Sequence, residues 1–175
     1  MIEVVLRAVR VDVGSATPLL LLEEVGGSRV LPIFIGAPEA TAIAYALQHI
    51  ETPRPMTHDL LSDVIRSLGA QLRSIEIVDL VDNTFFANLR LGVEDREVLV
   101  SARPSDAVAL ALRSGAPLFV GDDVMDSEAQ IIEVDEDDDE DGDEDDSGTD
   151  VVSEAELLAQ LRSFLDEVRP EDFDQ

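Results

Sequence analysis

Ala102-Arg103-Pro104-Ser105-Asp106-Ala107-Val108-Ala109-Leu110-Ala111-Leu112-Arg113 holds a strand end, a sharp corner and an apolar helix within twelve residues. A residue before proline is pushed out of the α region, so Arg103 closes an extended segment. Pro104 has no amide hydrogen to lose, and its fixed φ suits a first helical turn. Ser105 and Asp106 are side chains that accept hydrogen bonds from the free amides of a helix start. Val108, Leu110, Ala111 and Leu112 make the helix apolar around most of its girth, which predicts a buried helix over 105–114, ended by Gly115. One arginine, one hydroxyl and one carboxylate are thereby fixed at a rigid corner, and the rest of the chain must wall it.

The same ingredients occur upstream in Arg54-Pro55-Met56-Thr57-His58-Asp59. Thr57 is a good N-cap, and Leu60, Leu61, Val64, Ile65 and Leu68 follow at helical spacing, which predicts a helix over 58–68. Between the two corners, β-rich runs at 71–81, 84–91 and 97–102 are separated by Asp82-Asn83 and by Gly92 to Asp95, the pattern of an antiparallel meander. Before them, 2–13, 18–25 and 29–35 read as strands. The four leucines Leu19 to Leu22 suggest a buried strand, and Pro32 suggests an edge or a bulge. A helix over 38–49 has Ala40, Ile43, Ala44, Leu47 and Ile50 as its inner stripe. Residues 117–120 form a short strand, and Asp122 to Ala129 a turn of helix or a lid. The expected fold over residues 1–132 is α+β, a mainly antiparallel or mixed sheet with three packed helices.

The formal charge of the 175 residues is -27, unevenly spread. Residues 1–132 carry 19 acids against ten arginines, and residues 133–150 carry 13 acids and no base. The latter run is expected to be a disordered acidic linker, because it repels itself and has little apolar surface to bury. In 151–175, Ser153 and Glu156 form a capping box ahead of Leu157, Leu158, Leu161, Phe164, Leu165 and Val168, an amphipathic helix suited to docking on its own domain, a second subunit or a protein partner. Neither part is basic enough for long-range attraction to nucleic acid. There is no cysteine, hence no disulfide and no thiolate metal site. No stretch is long enough to span a bilayer and no secretory signal is visible, so a cytoplasmic location is expected.

Helix starts present unpaired amides and partial positive charge, which suits phosphate. Arg54 and Arg103 stand beside two such starts and could clamp a phosphate together, with Thr57 and Ser105 orienting phosphate or water. Against this, Asp59 and Asp106 could simply cap the helices and pair with the arginines. His58 is the best candidate for a proton-transferring group; His49 reads as structural or exposed. Glu39, Asp59 and Asp106 all fall in first helical turns, where carboxylates could hold Mg²⁺ or Mn²⁺, although spacing alone does not bring them together.

Four motifs in order carry a family likeness: Pro32-Ile33-Phe34-Ile35-Gly36 with Glu39-Ala40, Arg54 to Leu60, Phe85-Phe86-Ala87, and Ala102 to Ala111. Residues 1–130 resemble the bifunctional nuclease domain family, and most closely its actinobacterial members. Phe34 stands where members commonly have Trp, and Ser101 where they often have an acid. The resemblance implies a compact α+β domain, often oligomeric, with cleavage of RNA and DNA by some members. It places the polar motif residues on Glu39, Arg54, Thr57, His58, Asp59, Arg103, Ser105 and Asp106. Two functions follow as expectations. The first is a nuclease: Arg54 and Arg103 bind phosphate, Asp59, Asp106 and Glu39 hold a divalent ion, and His58 is base or acid. The second is a non-enzymatic interaction module working through the acidic run and the C-terminal helix.

Overall fold

The structure, a computed structural model, describes residues 1–12 and 14–131. The expected acidic linker and C-terminal helix lie outside the described residues. The first three strands are β1 (Ile2–Val11), β2 (Pro18–Glu24) and β3 (Arg29–Phe34), and each pairs antiparallel with the next. The second set, β4 (Ala70–Val81), β5 (Thr84–Val93) and β6 (Arg96–Ala102), forms the predicted meander. Asp82 and Asn83 both have positive φ, as a two-residue hairpin turn requires.

Two short strands complete the sheet. The three residues of β7 (Leu118–Val120) run between β4, to which they are parallel, and β1, to which they are antiparallel. The strand order is β6-β5-β4-β7-β1-β2-β3-β8, so β7 is the seam joining the two meanders. The last strand, β8 (Gln130–Ile131), was not expected. It pairs only with Arg29 and Val30, which leaves Pro32 further along β3 on an open edge, as a proline needs.

The four leucines of β2 alternate. Leu20 and Leu22 are fully buried, whereas Leu19 and Leu21 are half-buried on the other face, so the strand is buried on one side and not, as expected, throughout. Full burial of each inner leucine is worth about 2 kcal/mol. Among the described residues four helices accompany the sheet: α1 (Ala37–Leu47), α2 (Thr57–Ser67), α3 (Pro104–Ser114) and the short α4 (Asp122–Glu128). The apolar run Ala107 to Ala111 of α3 is buried in one core with Ile75, Ile77, Ala87 and Leu89 of β4 and β5. Gly115 ends α3 in the left-handed region, where a Cβ would be strained.

One predicted stripe is corrected. In α1, Ala40, Ile43 and Ala44 are buried but Leu47 and Ile50 are exposed, because the helix ends at Leu47 and the chain turns through His49, itself exposed and at positive φ. In α2 most of the apolar set lies on the outside. The inward side chains are His58, Ser62 and the half-buried Ile65, and Leu60, Leu61, Val64 and Leu68 face outward. Among the described residues no helix is long and apolar enough to cross a membrane.

Candidate functional site

The starts of α2 and α3 meet. His58 Nε2 lies 3.1 Å from Asp106 Oδ1. Arg103 grips the same carboxylate with two bonds, Nε to Oδ2 at 2.7 Å and Nη2 to Oδ1 at 3.0 Å. The Nη2 group also donates to Glu39 Oε1 at 2.7 Å. First-turn side chains of α1, α2 and α3 are therefore tied through one guanidinium and one carboxylate. Arg103 is placed there by the proline that follows it: its φ of -73° and ψ of 145° are those of an extended N-cap residue.

An ionised carboxylate only accepts hydrogen bonds. Asp106 Oδ1 already accepts from Arg103, so the hydrogen of the second contact lies on His58 Nε2, and Nδ1 is the ring atom free to take a proton. Burial pushes the Asp106 carboxyl up, but the hydrogen bonds from Arg103 and His58 outweigh it and hold it below the ordinary 3.8. Arg103 in turn is raised above the usual guanidinium range, first by Asp106 and then by Glu39.

Asp59 belongs to a second cluster. Its Oδ2 accepts the Met56 N–H at 2.9 Å, which closes the start of α2. Its Oδ1 accepts from Arg113 Nε, and the other guanidinium nitrogens bond the carbonyls of Ala109 at 2.9 Å and Ala42 at 3.1 Å. The Arg113 hydrogen bond is the main cause of an Asp59 carboxyl held below its usual value. Arg113 was not expected. Its only sequence signal is a lone charge ending the apolar run of a buried helix.

Of the sequence-predicted site residues, Glu39, His58, Arg103 and Asp106 come together, and Ser105 is buried beside Arg103. Thr57 is exposed and is the first helical residue, not the cap; the cap position is Met56, whose N–H is satisfied by Asp59. Arg54 is exposed, has no carboxylate partner among the described residues, and takes no part in the hydrogen bonds around Asp106. Glu39, Asp59 and Asp106 do not meet as one ligand set. Two are taken by Arg103 and one by Arg113, and no three His, Asp or Glu side chains among the described residues could hold an ion together.

Residues 20–133 match the family described as the bifunctional nuclease domain. The chain is 45% identical to an uncharacterized protein of Mycobacterium tuberculosis over 171 residues, 98% of this chain and 97% of the relative. It is 29% identical over 105 residues to bifunctional nuclease 2 of Arabidopsis thaliana, and 26% identical over 105 residues to bifunctional nuclease 1 of Oryza sativa subsp. indica. In both plant matches the aligned part is 58% of this chain and 32% of the relative, so the chain spans about a third of their length. Because the match takes in most of the β2–β3 hairpin, Glu39, Asp59 and Asp106, and the whole Arg103–Asp106 corner, the chain belongs to the bifunctional nuclease domain family.

Proposed function

We propose that this chain hydrolyses phosphodiester bonds of RNA or DNA at the corner where Arg103, Asp106 and His58 meet. The observation that carries the reading is the shared Asp106 carboxylate, which holds a cation and an imidazole side by side at a helix start. Three of the five guanidinium hydrogens of Arg103 are used on Asp106 and Glu39, and the two on Nη1 remain for a phosphate. His58, oriented through Nε2, takes at Nδ1 the proton of an attacking water or hydroxyl. The new P–O bond forms, the scissile P–O bond breaks, and solvent protonates the departing oxygen. The three carboxylates as arranged do not fit one ion, and no step above runs through a metal. The expected dependence on Mg²⁺ or Mn²⁺ is measured in the same assay.

The test is gel analysis of labelled RNA and DNA strands incubated with the purified chain, with either ion or with chelator. Shortened products are expected, and His58→Ala is expected to slow their appearance by about 10²- to 10⁴-fold. Wild-type speed in that variant refutes the role given to His58.

We infer further that the domain works as a homo-oligomer. What supports this is the outward apolar face of α2, where Leu60 is 56% and Leu68 76% exposed, together with an edge strand, β6, whose Val98, Leu99 and Val100 are all exposed. Light scattering at micromolar concentration is expected to give a multiple of the 19.0 kDa chain, falling towards the monomer in a Leu60→Glu, Leu68→Glu variant. A monomeric wild type sinks this reading.

A further inference from the structure

Beside the Arg103 corner lies an open cleft of about 320 Å³. Phe34 and Gly36 line it from the end of β3, Asn83 and Phe85 from the β4–β5 turn, and Arg103 and Ser105 from the start of α3. One side of this cleft is a collection of unused donors. Ser105 is only 6% exposed, lines the cleft, and has no hydrogen-bond partner for its hydroxyl among the described residues. Because no side-chain oxygen among the described residues is both fully buried and unpartnered, this hydroxyl keeps some accessible surface, and a ligand in the cleft would meet it as an open donor. The two Nη1 hydrogens of Arg103 are free, and no acceptor among the described residues takes the backbone N–H of Ser105 or Asp106. Together these donors suit a phosphate.

The other side is aromatic. Phe34 is 62% exposed although it stands between Ile33 and Ile35, both buried. An aromatic side chain held open beside a set of anion-binding donors suits a nucleobase, whose flat face stacks on such a ring whatever the base. The volume is at the small end for ligand pockets, and it matches one nucleotide better than a groove that must admit a duplex. A base inside a duplex already has neighbours on both faces, so it reaches Phe34 only after leaving the stack.

We propose that this cleft is a nucleotide subsite: it takes one unpaired base on Phe34 and the adjoining phosphate on Arg103 and Ser105, and so selects single-stranded nucleic acid. The proposal deepens the hydrolytic reading by naming its substrate class, but it is a statement about binding and is tested as one.

The experiment is fluorescence anisotropy with a short fluorescein-labelled oligodeoxynucleotide and with the duplex it forms with its complement, strand integrity being checked on a gel after each titration. The wild-type chain is expected to bind the single strand at least tenfold more tightly than the duplex. Stacking is worth about 1–3 kcal/mol per base, so Phe34→Ala is expected to weaken single-strand binding roughly tenfold and to leave the weak duplex binding unchanged. Phe34→Leu should lose about as much and Phe34→Trp should bind at least as well as wild type, the order that a stacking ring gives and mere apolar contact does not. Ser105→Ala should weaken binding by a smaller factor, roughly threefold to tenfold. Because Phe34 is exposed, melting temperatures should hardly move, and they are measured alongside. Wild-type affinity in Phe34→Ala and Phe34→Leu, equal binding of duplex and single strand, or no binding of either, each overturns the subsite. Binding that depends on Phe34 without any cleavage keeps the subsite and removes the hydrolytic reading; cleavage with binding indifferent to Phe34 does the reverse.

Discussion

Asp106→Asn is expected to lower kcat/KM for strand cleavage by at least about 10²-fold, the size of effect seen when a charge-stabilising group is disarmed inside an active site. Asparagine keeps the shape of the side chain and one accepting oxygen. It replaces the other oxygen with an NH₂ donor, and at present both oxygens accept from Arg103, at 2.7 and 3.0 Å. A donor then faces a donor, the two-point grip fails, and the guanidinium leaves its place at the start of α3. His58 Nε2 also loses a charged acceptor for a neutral one, which weakens the bond that orients the ring. Stability should change little, because Arg103 is 64% exposed and exposed ion pairs contribute about 0–1 kcal/mol. Activity and melting temperature therefore separate: a large fall in the first with a small change in the second. Arg103→Lys should fall in between on activity, since an ammonium keeps the charge without the fork. The pH profile gives a second check. Asp106 is held below the ordinary 3.8 and stays ionised down to more acid pH than a free carboxyl. Any acid limb of the rate above about pH 5 therefore belongs to another group. Full activity in Asp106→Asn reduces the corner to a scaffold.

The contrast between Asp106 and Asp59 shows how far the sequence carries. Each sits in the third position of a helix beginning near an Arg-Pro pair, and local chemistry makes them look alike. Asp106 does bind the arginine three residues before it, as spacing suggests. Asp59 ignores Arg54 and binds Arg113, 54 positions away, a pairing set by how α2 lies on α3 and not by anything in its own neighbourhood. The meander was legible for the opposite reason: each of its pairings joins neighbours in the chain through a turn whose residues announce it. Three residues of β7 could be seen as a strand but not as the seam of the sheet, because a parallel partner is reached only by way of α3. Periodicity in α2 gave the helix but not which face turns inward. Spacing fixes which residues share a side; whether that side turns inward depends on what waits there. Here it is Asp106 and Arg113, which hydrogen-bond His58 and Asp59, while Leu60 and Leu68 stay exposed.

That dependence makes Arg113→Met a strongly damaging change for the fold. The arginine side chain is 11% exposed and joins three helices: it donates to Asp59 of α2, to the Ala42 carbonyl of α1 and to the Ala109 carbonyl of its own helix. Methionine fills much of the volume and removes every donor. Breaking a buried ion pair from one side costs about 3–5 kcal/mol, and Asp59 is 36% exposed, so a figure near the lower end, about 3 kcal/mol or roughly 10 °C in Tm, is expected. The pH dependence has a definite sign. The Asp59 carboxyl lies below its ordinary 3.8 in the folded chain, chiefly through Arg113, so the unfolded chain takes up the proton first as pH falls. The stabilisation is fully present above about pH 5 and disappears only as pH falls below about 4 through the depressed folded value. Urea unfolding should therefore give the same gap between wild type and Arg113→Met at pH 7 and pH 5, and a smaller one at pH 3.5. A gap under about 0.5 kcal/mol, or one already closing between pH 7 and 5, contradicts the pairing. The same variant decides where Asp59 stands in the chemistry. Assayed well below its Tm, it should cleave within a few-fold of wild type, because the side chains of the Arg103 corner hydrogen-bond neither Arg113 nor the carboxylate that Arg113 holds. Loss of cleavage in molecules that remain folded would put Asp59 back among the reacting groups.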